Sequence, residues 1–197
     1  MHPRRTERSR PLTTRSALAL ALVVTAAAAS AAVAEELRDF DSRGLPGSEG
    51  VVVRVRHPAS WKSVAVDDGQ VLAELRGPQG KLTGMLQVGR GQRRDDLDAV
   101  CKPERAPSML QKLAEQAPGT LVTDVFARRH EGRPAFEIRY ERKDAPGSFL
   151  AVRSMIVCLK DTRLLVSCGG LGPQKVALAE IEPVCRQVLD SVRISED

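Results

Sequence analysis

Four cysteines, Cys101, Cys158, Cys168 and Cys185, and the histidines His57 and His130 are the side chains best suited to redox, metal or acid–base chemistry. Their spacing argues against most of it. No Cys-x-x-Cys occurs, so neither a thioredoxin-like redox pair nor a zinc ribbon is encoded. An even number of cysteines instead suits two disulfides in an exported chain. The preferred pairing joins Cys168 to Cys185 and Cys101 to Cys158, although four cysteines allow three pairings. His57 precedes Pro58 at the end of an alternating Val/Arg run, and His130 sits in a polar turn; a two-histidine metal site would need both to converge with a carboxylate. His-Glu-x-x-His, Gly-x-Ser-x-Gly and Ser-x-x-Lys patterns are all missing from the sequence.

Three other clusters have binding chemistry. Asp95-Asp96-Leu97-Asp98 concentrates carboxylates as a calcium site does, but lacks the alternate spacing and glycine of a calcium loop. Acids at a helix start account for it better. Arg128, Arg129, His130 and Arg133 surround a hairpin tip and could hold an anionic partner or be a solvated turn. Trp61, the sole tryptophan, is either a partner anchor or a core plug, and its place after a proline turn favours the plug.

The first 34 residues change the charge argument. Arg4, Arg5, Arg8, Arg10 and Arg15 precede an Ala/Leu/Val run over 17–31, and Ala32-Val33-Ala34 has the small-x-small form of a cleavage site. A signal peptide over 1–34 is therefore expected, with a retained anchor as the alternative. The 197-residue chain has 30 Lys+Arg and 25 Asp+Glu; this leader holds five arginines and one acid, leaving 25 basic against 24 acidic residues, a formal +1. So balanced a remainder, with few aromatics, excludes a nucleic-acid stripe. No transmembrane segment is expected after cleavage, and the periplasm or external medium is the expected compartment. Arginine far exceeds lysine and asparagine is absent, which points to a GC-rich bacterial genome.

Positioning elements follow from periodicity. Residues 35–50 are polar and punctuated by Gly and Pro, which predicts a flexible N-terminal segment before a single domain at 51–194. Valines alternating with arginines over 51–56 predict a strand, followed by strands at 62–66, 71–76 and 82–88. Short helices are predicted over 93–102 and from Pro107-Ser108 to Ala117, then a strand at 121–127. Phe136, Ile138 and Tyr140 alternate with Glu137 and Arg139, so the strand at 133–140 is expected to be half-buried, charges in water. Runs at 149–159 and 164–168 complete an antiparallel platform with one dry face. Beyond the glycine-rich connection at 169–172, Ala177, Ile181, Val184, Cys185 and Val188 predict an amphipathic helix kinked or restarted by Pro183. Residues 192–194 could add a last strand. The fold class is α+β: a mainly antiparallel sheet of about six to eight strands flanked by two or three helices.

Three short motifs occur in order: Arg56-His57-Pro58-Ala59-Ser60-Trp61, Gly132-Arg133-Pro134-Ala135 and Val188-Leu189-Asp190-Ser191-Val192-Arg193. Together they resemble the PsbP/Mog-type superfamily, including bacterial DcrB-like envelope proteins, over about 51–194. His57 departs from the aromatic common before the proline, and the cysteines are not a general feature. The resemblance implies an antiparallel sheet sandwiched by helices, an α/β/α arrangement. It implies no single activity: relatives include photosystem accessory subunits, a Ran-binding protein, envelope lipoproteins and secretion-effector chaperones, which share protein binding without catalysis. No site residue carries over.

The expected function is an exported, non-catalytic binding or accessory protein of the bacterial envelope, holding a protein or lipid-like partner without cofactor. The alternative is a secreted hydrolase with a dispersed site built from His57, His130 and Asp124.

Overall fold

Alternation of branched apolar and polar residues produces, among the described residues, ten strands, β1 Leu37–Asp41, β2 Val51–Pro58, β3 Lys62–Val64, β4 Val71–Arg76, β5 Thr83–Gly91, β6 Thr120–His130, β7 Arg133–Ala145, β8 Ser148–Cys158, β9 Arg163–Gly172 and β10 Arg193–Glu196. In this computed structural model the described residues are 35–48, 50–80, 82–91 and 119–196, with 101, 102, 104, 108 and 115. They belong to one compact unit, Ala34–Asp197. One helix is described along its whole length, α1 Gln174–Asp190, where two or three were expected over the whole chain. The Asp95–Asp98 cluster and most of the helices predicted over 93–102 and 107–117 lie outside the described residues; of the second helix Ser108 and Glu115 are described, both in helical conformation.

The strands form two antiparallel sheets rather than one platform. Seven take the order β3-β4-β5-β9-β8-β7-β6, and three take the order β1-β2-β10. The predicted central trio is present as β7, β8 and β9, neighbours in register from Ala135↔Val157 and Met155↔Val166. Two expectations are corrected here. Within 35–50, Leu37–Asp41 pairs with β2 in a regular ladder that sets Phe40 opposite Val55. The glycines after Cys168 continue β9 to Gly172 instead of forming a loose connection. A Cβ on Gly170 would come within 2.8 Å of Leu82 and 3.1 Å of Ile181, so its bareness lets α1 pack against the strand.

The main core lies where α1 and β2 cover one face of the large sheet. Val53, Val55, Leu86, Val88, Met155, Val157, Leu164 and Val166 meet Ile181, Cys185, Val188 and Leu189, the last four at helical spacing. Each such side chain contributes roughly 1.5–3 kcal/mol when fully buried. The helix passes through Pro183 as one element, and Ser191 closes it: its hydroxyl donates to the Val188 carbonyl (2.6 Å) and accepts from the Arg56 amide (2.8 Å).

The platform has two dry faces, not one. Phe136 and Cys158 form a second cluster, against which Cys101, Val125 and Ile156 pack. The charged face of β7, expected in water, is the one that α1 approaches, and Glu137 is wholly buried there.

Candidate functional site

The cysteines pair as preferred, Cys101 with Cys158 (Cα separation 5.9 Å) and Cys168 with Cys185 (5.2 Å). The first bridge ties position 101 to the second cluster, and the second ties α1 to β9. Both serve structure, since no thiol is left free.

Both histidines are used in backbone contacts. His57 is buried, and its Nδ1–H donates to the Pro58 carbonyl at 2.9 Å. His130, also buried, donates from Nε2 to the Val192 carbonyl at 3.1 Å. Burial pushes the His130 pKa below the ordinary histidine value, against the opposing pull of the Glu131 carboxylate. Asp124 is exposed on β6, six residues before His130, which along a strand is roughly 20 Å. The dispersed triad is therefore not assembled.

At the β6–β7 tip, Glu131 (φ 49°) and Gly132 (φ 80°) form the two-residue turn that the His130↔Arg133 pairing requires. The basic residues flanking it bind the chain itself. Arg129 donates from Nη2 to the Gly132 carbonyl (2.6 Å), and Arg133 donates from Nε to Glu196 (3.1 Å). Glu131 accepts the Ile194 amide (3.0 Å), so with His130 this hairpin latches β10. Trp61 is the core plug: it is buried, and a Cβ on Gly84 would collide with its ring.

Sequence reasoning missed the charge cluster beneath α1. Glu137 faces Arg153 Nε (2.5 Å from Oε1) and accepts from Arg128 Nη1 (2.7 Å). Arg153 Nη1 donates to Glu182 of α1 at 2.7 Å. Arg139 lies over the Phe126 ring, 5.6 Å from its centroid. The signal available in sequence was the charged alternation of Glu137 and Arg139, which by itself reads as a solvated face.

A groove of about 730 Å³ opens where β1 and β2 meet the end of α1. Leu37, Phe40 and Val55 give it an apolar lining, while Asp39, Asp41, Asp190, Arg54, Arg56 and Arg193 supply charges of both signs. Arg54 Nε donates to Asp41 at 2.8 Å, whereas Arg56 and Asp39 are 3.9 Å apart and both are well exposed. The Arg43 amide, followed by Arg54, holds the Asp41 carboxyl below its usual range. Neither histidine lines this groove. Its chemistry is that of a binding surface: apolar contact below and selective charge pairing around it.

The sequence matches no protein-family model and no curated protein. Similarity emerges from the backbone. The solution structure of cyanobacterial PsbP (CyanoP) from Synechocystis sp. PCC 6803 superposes with a TM-score of 0.56 at 12% identity, covering 81% of this chain and 92% of that one. LpqN of Mycobacterium tuberculosis, described as involved in cell envelope biogenesis, gives 0.52 at 12% identity over 82% and 92%. The Ran-binding protein Mog1p of Saccharomyces cerevisiae gives 0.53 at 8% identity over 81% and 95%. At such identities the agreement speaks for backbone architecture, and on that ground the chain has the PsbP/Mog-type fold.

Proposed function

We propose that this chain is an exported, non-catalytic binding protein of the bacterial cell envelope that holds a polypeptide partner in the groove between β1, β2 and the end of α1. The groove carries the reading: its apolar lining sits under a rim of three aspartates and three arginines, outside the reach of either histidine. A rim of both signs suits a polypeptide bearing both charges better than a uniformly anionic lipid surface. Two disulfides fit an oxidising compartment, as does the leader-like sequence of 1–34. The fold relatives support a binding role by analogy, one being described as Ran-binding and another as involved in envelope biogenesis.

The test is quantitative crosslinking capture from the native envelope with the exported protein, its Arg56→Glu variant and a Glu180→Lys control outside the groove. One partner protein lost by about tenfold with Arg56→Glu and retained with Glu180→Lys supports the reading, a change equivalent to about 1.4 kcal/mol. Equal capture by all three, or association with protein-free envelope lipid vesicles alone, overturns it.

A further inference from the structure

The other outer surface with unspent binding capacity is the β6 edge. Strand β6 is eleven residues long and pairs only with β7 among the described residues, so one row of its backbone amides and carbonyls has no strand partner there. Leu121, on this strand, is 63% exposed. Beside the strand stands the charge cluster, whose guanidinium groups outnumber its carboxylates. Arg128, Arg139, Arg153 and Arg186 surround Glu137 and Glu182, with Asp190 3.9 Å from Arg128.

Of these, Arg139 combines a buried nitrogen, unpaired among the described residues, with partial exposure. Its Nη2 stands 3.7 Å from Glu137 and 3.8 Å from Glu182, beyond hydrogen-bond range. Its Nε is buried without a hydrogen-bond partner among the described residues, yet about a third of the side chain is open to solvent. A guanidinium over an aromatic ring, charged and short of acceptors, is a receptor for a carboxylate. Strand β6 itself carries Arg128 and Arg129 against Asp124, so a second copy of this chain would bring like charge to the edge.

We propose that the β6 edge takes up an extended acidic polypeptide segment as an added strand, with a carboxylate of that segment on Arg139. Main-chain pairing supplies the attachment and the arginines select the charge. This surface goes beyond the groove and meets it only at Asp190.

The experiment uses the full exported chain and fluorescein-labelled peptides followed by anisotropy. The probes are an alternating Glu-Val octapeptide, its Lys-Val counterpart, and the Glu-Val peptide N-methylated at every second amide. Expected are binding of the Glu-Val peptide that weakens as salt rises, none of the Lys-Val peptide, and loss on N-methylation. Arg139→Gln should weaken binding about tenfold, and Asp124→Lys should tighten it. Equal binding of the N-methylated peptide would reduce the site to charge attraction and overturn strand addition. So would failure of the Glu-Val peptide to bind, or a dimer of the free protein that Asp124→Lys disrupts. The groove variant Arg56→Glu should leave peptide binding unchanged, which separates this inference from the groove reading.

Discussion

Glu137 Oε1 and Arg153 Nε are 2.5 Å apart on adjacent strands, and the carboxylate they share with Arg128 has no exposed surface at all. An acid in that position stands only because guanidinium groups surround it, and the arrangement commits α1 to its place through the Arg153–Glu182 bond. Breaking one partner should therefore be far costlier than removing an exposed pair. Glu137→Ala should destabilise the fold by about 3–5 kcal/mol, while Glu137→Leu with Arg153→Met should recover part of that loss. Urea unfolding of both variants checks this; a single variant within 1 kcal/mol of the parent would contradict the burial of the pair.

The two bridges close loops of different length, 57 residues for Cys101–Cys158 and 17 for Cys168–Cys185. Chain entropy assigns them about 4 and about 3 kcal/mol. Paired Cys→Ala variants should follow that order in denaturant midpoint. A larger loss from the shorter loop would mean that α1 depends on Cys185 for more than loop closure.

Protonation of His130 should weaken the latch on β10. Its folded pKa is depressed by burial, so the folded state binds the proton less readily than the unfolded chain. The stabilisation is fully present above the ordinary value of about 6.5 and is lost as pH falls from there through the depressed folded pKa. Denaturant midpoints measured across this window should decline towards acid, and His130→Gln should flatten the decline.

Trp61 offers an internal reporter. Because the ring rests against Gly84, Gly84→Ala should overpack the site and cost about 1–3 kcal/mol. As the only tryptophan, Trp61 should emit as a buried indole in the native state and shift to the red on unfolding. An already red-shifted native emission would place it in water.

The residues around the hairpin tip show how far local reading reaches. A turn between two strands was legible before Arg133, but it was expected over 128–132 with His130 inside it; β6 instead runs on to a buried His130, and only Glu131-Gly132 turn. That Arg133 meets Glu196 and His130 meets Val192, more than sixty positions away, was not legible. Turn chemistry depends on neighbours in the chain, whereas the use of a charged side chain depends on what the fold brings to it.

By itself the sequence determined the alternating strands, the antiparallel trio β7–β8–β9 and the amphipathic helix, since each follows from spacing that sterics and periodicity translate directly into shape, whereas the choice among three cysteine pairings fell to the fold. Only the tertiary structure decided that β2 leaves the main sheet to join β1 and β10, that the charged face of β7 is covered, and that β6 is an edge. A period of two states which side chains share a face of a strand; whether water, a helix or another strand then meets that face is a long-range packing outcome that no local window contains.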